Sequence, residues 1–226
     1  MIYIISLLIM GISWFIQHQL KSRFEEYSKI PTDGGLMGKD VAKQMLEDNG
    51  IYDVTITSVE GQLTDHYNPE NKTVNLSKDV YYSNSVVAAA VAAHECGHAV
   101  QHATGYTFLT LRSKLVPVVS FASQWMQWVL LAGILLVQNF PILLEVGIVL
   151  FATTTLFAFV TLPVEINASW RAVTWLNRTG VTNVRTHDKA VDALKWAAYT
   201  YVVAALGSLA TLLYYISILA GARRND

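Results

Sequence analysis

Residues 91–105 read VAAHECGHAVQHATG, and three of the chain's six histidines, His94, His98 and His102, stand in this run of alanine and valine. Ser83, Asn84 and Ser85 offer N-caps upstream and Gly105 offers a stop, so the pattern predicts a helix through about residue 103. On a helix, residues four apart share a face and sit about 6 Å apart along the axis. His94 and His98 can therefore present both imidazoles to one metal ion. Glu95 lies about 100° around the helix from His94, so it need not be a ligand and can instead reach a water at that ion. Two histidine ligands and a general base is the division of labour of a His-Glu-x-x-His zinc helix.

Zinc needs at least one more protein ligand. His102 is a weak candidate. It lies about 12 Å from His94 along the axis, too far for one ion to join all three histidines on a straight helix. Glu165, in LPVEINASWRA (162–172), is the better one. It ends a long apolar run, where a carboxylate is costly beside lipid unless it has a partner. Glu145 is the rival acid, but the expected topology puts it toward the opposite face.

The apolar surroundings extend across the chain. Of the 226 residues, 53% are hydrophobic and 15% charged, against about 25% charged in an average soluble domain. Residues 1–16, 115–137 and 197–220 carry no charge, and 140–163 carry only Glu145. A bilayer crossing needs about 20 mainly apolar residues. Four transmembrane spans are expected, the first short, and the lipid bilayer is an expected partner. The start of the chain lacks a basic leader region and a small-residue cleavage site, so it reads as an uncleaved anchor. A net charge of −1 gives no basic footprint for nucleic acid, and a single cysteine, Cys96, excludes an internal disulfide. Fourteen of the sixteen Lys and Arg residues fall in 18–114 and 164–196, which puts both segments, and a site built from them, in the cytoplasm.

Between the first span and the motif, Pro31, Gly34 and Gly35 mark a loop, and residues 39–49 a short helix stopped by Gly50. Three alternating runs follow, at 53–58, 63–68 and 72–77, which read as a small antiparallel meander. The expected fold is mainly α and membrane-bound: four transmembrane helices with a small α+β zincin-like domain made of the meander and the His-Glu-x-x-His helix. Its parts are span 1 (1–17), the domain with the motif (18–114), a hairpin of spans 2 and 3 (115–163), a helical segment carrying Glu165 (164–196), and span 4 (197–220).

The segments DHYNP (65–69), VNLS (74–77), AAHECGHAVQ (92–101) and PVEINASWRA (163–172) resemble the bacterial neutral zinc metallopeptidases of the YugP-like group. The order of meander, motif helix, two spans and then Glu165 is similar to the integral-membrane zinc proteases of the HtpX and CAAX prenyl protease type, the gluzincins. The resemblance covers nearly the whole chain. It implies that His94, His98 and Glu165 bind Zn²⁺, that Glu95 is the catalytic base, and that the chain is a multi-pass membrane endopeptidase acting on peptide or membrane-protein substrates. The alternative is a catalytically silent zinc-binding membrane scaffold. A metal transporter would need ligands inside the spans, which are nearly bare. One departure stands out. Where the HtpX-type pattern has an Asp that orients a ligand histidine, this chain has Ser169, with Asn167 or Gln101 as substitutes. His66, Tyr67, Arg171 and His102 are candidates for stabilising the oxyanion. His66 lies near where such relatives place their substrate strand.

Overall fold

The computed structural model describes residues 2–223, with side chains from residue 6 onward. Met1, the first residue of expected span 1, and Arg224 of the tail lie outside the described residues. In chain order the elements are α1 (Ile2–Tyr27), α2 (Gly38–Asp48), β1 (Thr55–Val59), β2 (His66–Asn68), β3 (Thr73–Ser77), α3 (Lys78–Tyr81), α4 (Val86–Ala103), α5 (Thr107–Leu135), α6 (Pro141–Arg178) and α7 (His187–Ala222). They form two compact units. One comprises Phe15–Leu109 and Val164–Thr200; the other takes the chain up to Trp14, Thr110–Pro163, and Tyr201 onward.

The first of these units is built around α4. Ser85 caps its start, accepting a hydrogen bond from the Ala88 N–H at 3.2 Å, and Gly105 ends it with a φ of +63°. Ala88, Ala89, Ala90, Ala92 and Ala93 have no exposed surface. A helix apolar all round is a buried helix. Here α2 supplies Val41, Ala42, Met45 and Leu46 to the same core, the sheet supplies Val74 and Leu76, α6 supplies Ala172, Trp175 and Leu176, and α7 supplies Ala190, Ala193 and Leu194. Small side chains let these neighbours come close. At Gly97 an added Cβ would stand 2.6 Å from the Ala168 carbonyl oxygen of α6. The Trp175 indole N–H, donating to Asp48 at 2.9 Å, ties α6 to α2.

The sheet is not the antiparallel meander expected. Its order is β1-β3-β2, with β1 parallel to β3 and β2 antiparallel to it. Strand β3 takes the centre because it holds Val74 and Leu76, both without exposed surface. The connection after β1 crosses to the far side of β3 through Gly61 and Leu63, both at positive φ. Alternation in a sequence fixes which face a residue joins, but not which strand lies next to which. The four-residue α3 was also not expected.

In the second unit, α5 and α6 pack closely. A Cβ at Gly133 would come within 2.7 Å of the Leu144 backbone. Pro141 opens α6 at a position where its missing N–H costs nothing. Glu145 is paired with Arg223. Phe121, Trp125, Trp128, Val149 and Leu213 are more than half exposed, an apolar surface unlike that of a soluble monomer.

Three helices among the described residues, α5, α6 and α7, are long and apolar enough to cross a membrane. Expected span 1 is not among them; α1 runs past residue 17 as one helix to Tyr27. Helix α6 likewise passes the expected end of span 3 and continues through Pro163 to Arg178, so Glu165 sits on the same helix as the apolar run before it.

Candidate metal centre

The approach of α4 and α6 at Gly97 and Ala168 brings Glu165 against the two motif histidines. Glu165 Oε2 lies 3.3 Å from His94 Nε2 and 3.6 Å from His98 Nε2, and the three ligand-capable atoms lie within 4.8 Å of one another. Two ligands at tetrahedral angles and about 2.0–2.1 Å from a zinc ion stand about 3.3–3.4 Å apart. The two Glu165–histidine separations lie close to that spacing, so the cluster suits one zinc ion once its widest separation closes. The imidazoles stand edge to face, their centroids 4.8 Å apart. Glu165 is 3% exposed and His98 7%. A buried carboxylate and a buried imidazole with a second, part-buried imidazole form a donor set of the kind that holds zinc.

Burial alone would push the His98 imidazole down, yet the hydrogen bond and charge of Glu165 outweigh it, and the group lies above the ordinary histidine value.

Both imidazoles are held at their other nitrogen. Ser169 Oγ lies 3.0 Å from His94 Nδ1, so the hydroxyl occupies the place expected for the missing Asp. Gln101 Oε1 lies 3.1 Å from His98 Nδ1. Gln101, seven residues on, shares the azimuth of His94 on the helix. The structure pairs it with His98, its i−3 neighbour, because side chains three apart meet directly and those seven apart do not.

Glu95 lies beside the cluster, 8% exposed. Its Oε2 accepts the backbone N–H of Tyr67 at 2.9 Å. Strand β2 has β3 on one side only, so this N–H lies on its outer edge. Neither Tyr67's backbone role nor Gly97's close approach was anticipated. The glycine inside the motif was the only visible signal.

The remaining candidates fall elsewhere. His66 is exposed, and its Nδ1–H donates to the Thr64 carbonyl at 2.7 Å. Strand alternation points it away from the face that Tyr67 presents to α4, and the structure does not bring it to the cluster. His102 Nδ1 is hydrogen-bonded to the Tyr67 hydroxyl at 2.7 Å. Arg171 Nε donates to Asn167 Oδ1 at 2.8 Å.

Residues 2–220 match the family described as "Putative neutral zinc metallopeptidase". A protein of Bacillus subtilis (strain 168) named "Putative membrane protease YugP" is 42% identical over 217 residues, which cover 96% of this chain and 96% of that protein. No solved structure matches. The family's metal is zinc, and His94, His98 and Glu165 are the group suited to hold it. A match of this extent, reached by a full-length relative at this identity, makes the chain a member of the neutral zinc metallopeptidase family, hydrolases of the peptide bond.

Proposed function

We propose that the chain is a membrane-embedded zinc endopeptidase that cleaves peptide bonds with a metal-activated water. One observation carries this reading: a buried carboxylate, Glu95, stands next to a three-donor zinc set without belonging to it. A silent scaffold could accept the Tyr67 N–H with a neutral amide and would gain nothing from a charged base there.

In this reading His94, His98 and Glu165 hold the ion. When bound, zinc supplies Lewis-acid polarisation and acidifies a water toward neutral pH. One Glu95 oxygen is fixed by the Tyr67 N–H. The other takes the proton of the attacking water and later delivers it to the leaving nitrogen. A substrate peptide lies extended along the outer edge of β2, as an added strand beside the base. Of the four oxyanion candidates, Tyr67 and His102 are favoured, since their hydrogen bond spans β2 and α4 above the motif. His66 is disfavoured by its bond to Thr64.

The bilayer holds the chain through four spans, α5, α6, α7 and the start of α1. An even number of spans separates His94 from Glu165, so both reach one side of the membrane. The basic residues of 18–114 and 164–196 make that side the cytoplasm. Peptides or membrane proteins reaching that surface are the substrates.

The test compares wild type with Glu95→Gln, which keeps size and hydrogen bonding but removes the base. With zinc retained, turnover of a peptide library should fall by about 10²–10⁴, the usual contribution of general acid–base catalysis. Wild-type turnover in the variant would end the proposal.

A further inference from the structure

We infer that Gln101 is a positioning residue that locks His98 in its Nδ1–H tautomer and so aims the Nε2 lone pair at the metal. The inference rests on the zinc reading above and deepens it.

A neutral imidazole has one N–H and one lone pair, and only a nitrogen with a lone pair can ligate. Something must therefore fix which nitrogen of His98 keeps the proton. A hydroxyl would not decide it, because it both donates and accepts; that is the limit of Ser169 at His94. An amide decides it only if its own orientation is fixed, since its two ends look alike in shape.

The surroundings fix Gln101 from both sides. Its Nε2 lies 2.8 Å from the Val164 carbonyl oxygen and 3.0 Å from Asn167 Oδ1. A backbone carbonyl only accepts, so Nε2 must face it. The reversed amide would set two oxygens against each other in a site where Gln101 has no exposed surface. Asn167 is fixed in turn. Its Oδ1 also receives Arg171 Nε at 2.8 Å, and a guanidinium only donates. The polarity then runs one way. Arg171 and Gln101 donate to Asn167, Gln101 also donates to Val164, and Gln101 Oε1 is left to accept at 3.1 Å from His98 Nδ1. Only Nδ1–H complements it. In the neutral ring His98 Nε2 then carries the lone pair, on the side where an ion shared with Glu165 Oε2, 3.6 Å away, would sit.

The chain thus uses a neutral amide, polarised by Arg171 and a helix carbonyl, for the work a carboxylate does in many zinc sites. It adds no negative charge, so Glu165 is the only anion among the three ligand groups.

The experiment uses the full-length chain in lipid nanodiscs, labelled with ¹⁵N-histidine and freed of metal, at alkaline pH where imidazoles are neutral. Wild-type His98 should show a pyrrole-like Nδ1 and a pyridine-like Nε2. In Gln101→Met that preference should vanish, and zinc affinity, read by competition with a chelator, should fall by about 10–100-fold. Gln101 is buried, so Arg171→Met serves as the second variant. It removes only the outer donor from a half-buried side chain, frees Asn167 to turn, and should give a mixed His98 spectrum with an intermediate loss, about 3–10-fold. A wild-type His98 protonated at Nε2, or both variants holding zinc as tightly as wild type, would overturn the inference. Failure of the wild type to bind zinc would instead overturn the metal reading, while the tautomer of the metal-free protein would still decide the role of Gln101.

Discussion

Cys96 lies inside the motif and takes no part in its chemistry. Its thiol donates to the Ala42 carbonyl at 3.5 Å, and burial, then the neighbouring Glu95 carboxylate, push it well above the usual thiol value. The thiolate is the reactive form. Cys96 should therefore ignore a maleimide in the folded protein and react once the chain is unfolded in detergent. Labelling of the native protein, read by mass spectrometry, would contradict this packing. His98 makes a second prediction at this scale. Glu165 raises its proton affinity in the metal-free site despite burial. Zinc must displace that proton, so affinity should weaken as pH falls through the raised His98 value and level off above it. Isothermal titration in two buffers of different ionisation enthalpy checks the proton release; equal apparent heats would contradict it. Among single residues, His94, Glu95 and His98 were legible because helix geometry alone makes the four-residue spacing meaningful. The partners of His66 and Gln101 were not. Each depends on what lies across a gap, which spacing along one element does not encode.

The helix pair α4–α6 is the element on which the centre depends. A methyl group at Gly97 would meet the Ala168 carbonyl at 2.6 Å, a backbone atom that cannot swing aside. Gly97→Ala should force the helices apart, cost about 1–3 kcal/mol of stability as overpacking does, and draw Glu165 and Ser169 away from the histidines. Thermal melting together with zinc affinity measures both effects. A variant that melts and binds zinc like wild type would show that the contact is not needed. Helix α4 itself was readable from its caps and its period. The sheet was readable only as three strands. Val74 and Leu76 mark β3 as apolar, but nothing local in β1 or the three-residue β2 reveals that β3 pairs with both. The extension of α6 was also missed. Proline usually ends a helix in a sequence reading, whereas Pro163 here gives up one ladder bond and the helix continues.

At the scale of the whole molecule, the apolar runs were legible because length and absent charge are enough to mark a candidate span. The count was not, since the short first run flows into the rest of α1. The proposed orientation can be tested with single cysteines at exposed positions: Asn71→Cys and Val184→Cys on the metal-bearing unit, and Gln138→Cys at the turn between α5 and α6. In intact cells the first two should resist an impermeant maleimide and the third should label. Labelling at Asn71→Cys and Val184→Cys together would invert the protein but keep the centre. Labelling at only one of them would break the centre, because no ion can join ligands across a bilayer. The central claim, that a helix pair of histidines and a distant glutamate form one zinc site, meets its most direct test in the metal content of two purified variants compared with wild type. Wild type should carry about one zinc per chain, as three protein ligands with the fourth position left to water allow; His102→Ala should carry the same, and Glu165→Ala should lose most of it. A Glu165→Ala protein that keeps its zinc while His102→Ala comes out empty would contradict the account.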